Sequence, residues 1–205
     1  MVLLTLLSIV QALALELLWS YVRESDFLFE SSWTTVNAWI QITATFLGLV
    51  LIWVLYASNA MRFRWVPVTS DSVYPFLIGV LQFMLVETLG PGQTGQWLLL
   101  LAVIYAVMVR VSHTTMQRAR LDADNAAFFN GLGRATMRDF YPHIVIVASM
   151  TVAGFYLTNS ADSGRVETLA LLAAASVLGW QFYEAARYWK LSVIGDSDRG
   201  QTGQH

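Results

Sequence analysis

Apolar residues occupy most of the chain in six long runs, with short polar segments between them. A helix that crosses the hydrocarbon core of a bilayer needs about 20 predominantly apolar residues. The six runs approach this length, and we predict one membrane-spanning helix in each. The predicted spans are residues 2–22, 34–57, 73–89, 96–111, 142–158 and 166–186. The pattern therefore predicts an all-α, polytopic membrane protein with six transmembrane helices.

The polar stretches complete this picture of a single six-helix bundle over residues 1–194. Segment 112–141 is rich in arginine and is predicted to prolong the fourth helix as a cytoplasmic amphipathic segment. A break at 130–133 and a short run into the fifth span are expected to follow. Residues 195–205 are polar and contain three glycines, so we predict a disordered cytoplasmic tail.

The basic residues orient the spans. All of the 12 arginines and lysines except Arg23 and Arg165 follow the second, fourth or sixth span. Cytoplasmic loops carry an excess of these residues, so both termini are predicted to be cytoplasmic. We accordingly expect a multi-pass protein of the cell membrane.

Composition agrees with a lipid environment and excludes several classes of protein. Hydrophobic residues make up 56% of the chain and charged residues 13%, whereas soluble domains contain about 25% charged residues. The net charge of −2 provides no basic field for nucleic acid. There is no cysteine, and no histidine pair has metal-ligand spacing. We expect no catalytic residue, no metal and no cofactor.

Short matches between the spans indicate an internal repeat. Gln11 and Glu16 are five residues apart in the first span, as are Gln82 and Glu87 in the third. The third and fifth spans both begin with an aspartate followed by Tyr-Pro. These matches favour three helical hairpins with one plan, arranged as parallel repeats.

Polar side chains within the predicted spans are candidates for a solute or ion pathway. Charged residues inside a membrane usually face a cavity or a partner. The candidate pathway residues are Glu16, Glu87, Gln11, Gln82, Asn37 and Gln41. They are predicted to lie in the outer half of the bundle, where they could line a polar cavity open to the outside. The alternative is that each acid is protonated or hydrogen-bonded and only joins helices.

Glu184 has a simpler interpretation. Arg187 follows three residues later, and residues three apart are neighbours on a helix surface. We predict a structural ion pair between them.

The sequence thus favours a small channel or transporter for a cation, proton or small polar solute. The alternative is a non-catalytic subunit or assembly protein of a larger membrane complex, which short loops and small-residue faces would suit. An intramembrane enzyme ranks third, because no nucleophile with a base in reach is recognisable. The expected partners are the lipid bilayer and either further copies of the chain or other membrane subunits.

Overall fold

The computed structural model describes residues 2–62, 71, 73–126, 129, 133–160 and 164–201, and these residues form helices and connecting segments without a strand. Six long helices account for most of them. They are α1 (Val2–Glu24), α2 (Trp33–Arg62), α3 (Val73–Glu87), α4 (Thr94–Leu121), α5 (Tyr141–Asn159) and α6 (Gly164–Gln201). The predicted all-α class is confirmed.

Five of these helices, all except α3, are long and apolar enough to cross a membrane. The helix α3 has 15 residues, which corresponds to a length of about 22 Å. It ends at Glu87, two residues before the predicted end of the third span. Gly90 and Gly92 follow with φ angles of 118° and 76°, which are conformations that glycine adopts without strain. The segment predicted as the third span therefore forms a helix that is shorter than predicted, and it is not among the helices long enough to cross a membrane.

The ends of the other helices differ from the prediction in places. The helix α4 extends to Leu121 and carries the predicted polar prolongation. It stops at Asp122, whose side chain accepts a hydrogen bond from the Asp124 N–H. The helix therefore ends before the break predicted at 130–133, of which residues 130–132 lie outside the described ranges. The helix α6 runs to Gln201 and so includes the first part of the predicted tail, whereas 202–205 lie outside the described residues.

The helices form a closed ring rather than three separate hairpins. The most extensive contacts join α4 to α5 and α2 to α6, and α1 packs on both α2 and α3. The contact of α3 with α4 is intermediate, and that of α5 with α6 is slight. Around the bundle the order is therefore α1, α2, α6, α5, α4, α3. Neighbours in the ring are not always neighbours in the sequence.

The helices α1 and α3 run parallel to each other. Near their beginnings, Val10 packs against Gly79 so closely that a Cβ on the glycine would lie 2.6 Å from the valine Cγ1. Beyond the end of α3, the Tyr21 hydroxyl approaches Gly90. Between these contacts, the Gln11 Nε2 donates a 3.2 Å hydrogen bond to the Gln82 Oε1. The contacts thus follow the same order along both helices, as expected for a parallel pair.

Ion pairs tie the opposite end of the bundle together, where α3 begins and α4 ends. Arg118 of α4 donates two hydrogen bonds of 2.7 and 2.8 Å to the Asp71 carboxylate just before α3. Arg120 donates a 3.1 Å hydrogen bond to the Asp139 carboxylate before α5. A two-pronged arginine–carboxylate contact fixes orientation as well as distance. The amphipathic end of α4 is therefore anchored to the starts of two neighbouring helices.

Candidate functional site

A polar cavity of about 250 Å³ opens at the end of the bundle where α2, α4 and α6 begin. The first turns of α2 and α6 and the loop between α3 and α4 enclose it. We call it the polar cavity. Its lining residues are Trp33, Thr34, Asn37, Ala38, Gln41, Gly90, Pro91, Gly92, Gly164 and Glu167. Three of these carry a carboxylate or an amide, which is a high proportion for a bundle this apolar.

Gln41 connects α2 to the loop that follows α3. Its Oε1 accepts a 3.2 Å hydrogen bond from the Gly90 N–H, and its Nε2 donates a 3.3 Å hydrogen bond to the Thr88 carbonyl. The side chain is 1% exposed. Both ends of the amide are thus used to hold the loop, and the positive φ of Gly90 allows the loop to turn its N–H toward α2.

Two hydrogen bonds position the polar side chains on the α6 side of the cavity. The Thr94 hydroxyl donates a 2.6 Å hydrogen bond to the Glu167 carboxylate. The Thr168 hydroxyl donates a 2.9 Å hydrogen bond to the Asn37 Oδ1. Glu167 remains partly exposed and is the only carboxylate among the described residues that line the cavity. One anionic group beside amide groups suits a cation or a solute that donates hydrogen bonds.

Trp97 and Thr45 form a layer one turn along α2 from Gln41, which we call the floor of the polar cavity. The Trp97 indole is fully buried, and its Nε1 donates a 2.9 Å hydrogen bond to the Thr45 hydroxyl. Thr45 in turn donates a 2.9 Å hydrogen bond to the Gln41 carbonyl. The first of these bonds joins α4 to α2, and the second lies within α2.

The structure divides the predicted pathway residues into three groups. Asn37 and Gln41 line the polar cavity. Gln11 and Gln82 are buried and bonded to each other between α1 and α3. Glu16 and Glu87 lie on exposed faces of α1 and α3, away from the polar cavity.

The helical period explains why the two acids and the two glutamines lie on different helix faces. A separation of five residues turns a helix by about 140°. Because Gln11 and Gln82 meet in the contact between α1 and α3, the acids that follow each of them by five residues face away from that contact. The convergence of Glu16 and Glu87 with the amides, expected from their depth alone, does not occur.

Glu167 is the site residue that the sequence interpretation missed. It lies in the first turn of α6, where an acid is common because it interacts favourably with the helix dipole. A usable signal was present, since the first turn of the sixth span is predicted at the same level as Asn37 and Gln41. A search for acids at the same membrane depth as Asn37 and Gln41, and not only for acids near the middle of a span, would have found Glu167.

The predicted ion pair between Glu184 and Arg187 is present. The Glu184 and Arg187 side chains are 3.7 Å apart on one face of α6. Among the residues that the structure describes, no group of three histidine, aspartate or glutamate side chains is arranged to hold a metal ion.

Comparisons with known proteins give no match to a family model, a curated protein or a solved structure.

Proposed function

We propose that this chain is a small membrane transporter that binds a cation or a small polar solute in the polar cavity. The observation that carries the proposal is the meeting of Glu167, Asn37 and Gln41 around one cavity at the end of an apolar bundle. Polar groups in a mostly apolar site fix the orientation and identity of a ligand. The solute bears donors or positive charge, because Glu167 accepts hydrogen bonds when ionised.

A transporter fits this floor better than an open channel does, because the floor contains a fully buried indole that is bonded across two helices. Gln41 lines the polar cavity, and Trp97 and Thr45 lie directly below it. A bound solute would advance only after α2 and α4 separate at this layer. Such a change breaks one hydrogen bond between side chains, which contributes about 1 kcal/mol.

The proposal includes six spans and an outward orientation of the polar cavity. The helix α3 would cross beside α1, with which it runs parallel. In this proposal both termini and the Arg118 end lie in the cytoplasm, which the positive-inside pattern of the sequence supports. The hydrogen bond between Gln11 and Gln82, which occupy equivalent positions in the two predicted hairpins, supports a parallel repeat.

Transport can be tested in proteoliposomes that contain the purified chain. Uptake of rubidium ion and, separately, of urea is measured in the wild type and in Glu167→Gln. We expect one of the two probes to enter faster than in empty liposomes, and Glu167→Gln to reduce that rate at least about tenfold, which corresponds to about 1.4 kcal/mol. The matched control is Glu16→Gln, which makes the same chemical change on an exposed face and is expected to leave the rate unchanged.

The result that would overturn the proposal is equally specific. Equal rates in Glu167→Gln and the wild type would remove the polar cavity from the pathway. A loss of uptake in Glu16→Gln alone would return the function to the acids that the sequence first suggested.

A second candidate, a subunit of a larger membrane complex, is favoured by the surroundings of Glu16. Leu13 and Leu17 on the same helix are 52% and 37% exposed, and Glu16 is exposed between them. A carboxylate on an otherwise apolar membrane face usually pairs with another group, which a second polypeptide could supply. Native mass spectrometry after gentle extraction tests this. Species heavier than simple multiples of 22.9 kDa would favour the subunit, and clean multiples would count against it.

A further inference from the structure

A second cavity, of about 140 Å³, lies inside the bundle among α2, α3, α4, α5 and α6. We call it the central cavity. The floor formed by Trp97 and Thr45 lies between the central cavity and the polar cavity. Gly48 on α2 and Leu101 on α4, which line the central cavity, are one turn or less from Thr45 and Trp97 on the side away from the polar cavity. Most of its wall is aliphatic, with Leu49, Ile52 and Leu178 among the lining residues. It is therefore a different environment from the polar cavity.

Gln82 and Gln181 contribute amide groups to this mostly apolar wall, beside the polar atoms of Tyr105, Ser112 and His143. Gln82 is fully buried, and its Oε1 accepts a hydrogen bond from Gln11, while its Nε2 has no partner among the described residues. Gln181 accepts a 2.8 Å hydrogen bond from the Tyr105 hydroxyl, and its Nε2 also has no partner among them. Both glutamines line the central cavity.

These unpartnered N–H groups call for an acceptor inside the cavity. Buried polar groups in native proteins are nearly always hydrogen-bonded. Two such donors on different helices, α3 and α6, match a molecule with an acceptor at each of two positions. Carbonyl oxygens suit these donors, because they accept hydrogen bonds without carrying charge.

The walls also select for a neutral, ring-sized ligand. The described lining has no carboxylate, lysine or arginine, and His143 is its one basic side chain. A cation would therefore be desolvated there without a counter-charge. An apolar cavity of about 150 Å³ holds a benzene ring. A quinone ring combines this size with two carbonyl groups.

We propose that the central cavity binds a neutral quinone-type ring, with the Gln82 and Gln181 amides donating hydrogen bonds to its carbonyl oxygens. The site is independent of solute binding in the polar cavity. Its ligand would enter from the lipid phase, in which such rings dissolve.

The test uses the full chain in lipid nanodiscs and the probe 2,6-dimethyl-1,4-benzoquinone. Equilibrium dialysis separates saturable binding from simple partition into lipid, and m-xylene serves as the control ring without oxygen. We expect the quinone to bind one site per chain at least about tenfold more tightly than m-xylene, since it gains two hydrogen bonds and each is worth up to about tenfold in affinity. Infrared difference spectra of the bound quinone are expected to show a lowered carbonyl stretching frequency.

Three variants locate the site. Gln181→Leu is expected to weaken quinone binding about tenfold and to leave m-xylene binding unchanged. Gly48→Leu fills the cavity and is expected to abolish saturable binding of both rings. Gly48→Ala is the matched control, because a Cβ there would lie 3.8 Å from Leu178 and leaves most of the space open.

Several outcomes would overturn the proposal. They are equal affinity for the two rings, saturable quinone binding that survives in Gly48→Leu, or no saturable binding of the quinone to the wild type. Should Gln181→Leu fail to fold, the wild-type spectrum decides, since an unshifted carbonyl band in the bound quinone means that neither amide holds it.

Discussion

The close approach of α4 and α5 at Gly95 gives the sharpest test of the packing. A Cβ at Gly95 would lie 2.6 Å from the Thr158 backbone nitrogen and 2.9 Å from the Gly154 carbonyl oxygen. Non-bonded heavy atoms prefer about 3.5 Å or more, so Gly95→Ala must move the two helices apart by roughly 0.9 Å. Both neighbours are backbone atoms of a helix, which cannot turn aside as a side chain could.

The separation weakens the most extensive contact in the bundle. A gap of about 0.5–1 Å removes a quarter to a half of the dispersion energy of each affected contact, and overpacking of this kind costs about 1–3 kcal/mol. We therefore expect Gly95→Ala to lower the free energy of unfolding by about 2–3 kcal/mol. The assay is reversible unfolding of the full chain in mixed micelles by increasing SDS, followed by the helical circular dichroism signal.

Gly179→Ala is the matched control for this experiment. A Cβ at Gly179 of α6 meets no atom within 4 Å, and alanine within a helix is more favourable than glycine by about 0.5–1 kcal/mol. We expect this variant to be as stable as the wild type or slightly more stable. Equal unfolding free energies for Gly95→Ala and Gly179→Ala would refute the reasoning.

Three further predictions concern hydrogen bonds and ion pairs between elements. Gln11→Leu leaves Gln82 without its described partner and is expected to lower the unfolding free energy by about 1–3 kcal/mol. Changing both glutamines to leucine is expected to recover most of this loss; a double-mutant cycle measures the coupling between the two residues, and additive effects of the two changes would contradict the prediction. Asp71→Asn weakens the contact with Arg118, which is 31% exposed, and should cost about 1–2 kcal/mol in the same denaturation assay, with an unchanged transition as the contrary result. Trp97→Phe keeps a ring but loses the indole N–H, so we expect a loss of about 1 kcal/mol and a faster leak of the transported probe from proteoliposomes; a leak equal to that of the wild type would show that the ring alone closes the floor.

Helix positions were predictable because apolar length is a strong signal. Every predicted span overlaps one long helix. The ends were less predictable, since they depend on local bonds such as the turn at Gly90 and the Asp122 side chain that closes α4. A hydropathy pattern has no information on such contacts.

The candidate site was predicted only in part, because depth and direction are separate properties. Asn37 and Gln41 are four residues apart and share one helix face, so their joint position in the polar cavity follows from spacing. Glu16 was assigned to that cavity from depth alone, although its five-residue distance from Gln11 already placed it on another face. Glu167 was overlooked because an acid in a first turn has an ordinary explanation.

The partnership of α2 with α6 has a consequence for how the chain is made. Helices enter the membrane in the order of synthesis, and the principal partner of α2 is the last of the six. Until α6 is made, Asn37 lacks the hydrogen bond that the Thr168 hydroxyl donates to its Oδ1 in the complete bundle. The nascent chain therefore passes through a stage in which the side of α2 that contacts α6 lacks its neighbour. Ribosome-bound chains that stop before α6 are expected to stay associated with that machinery and to be degraded faster than the complete protein.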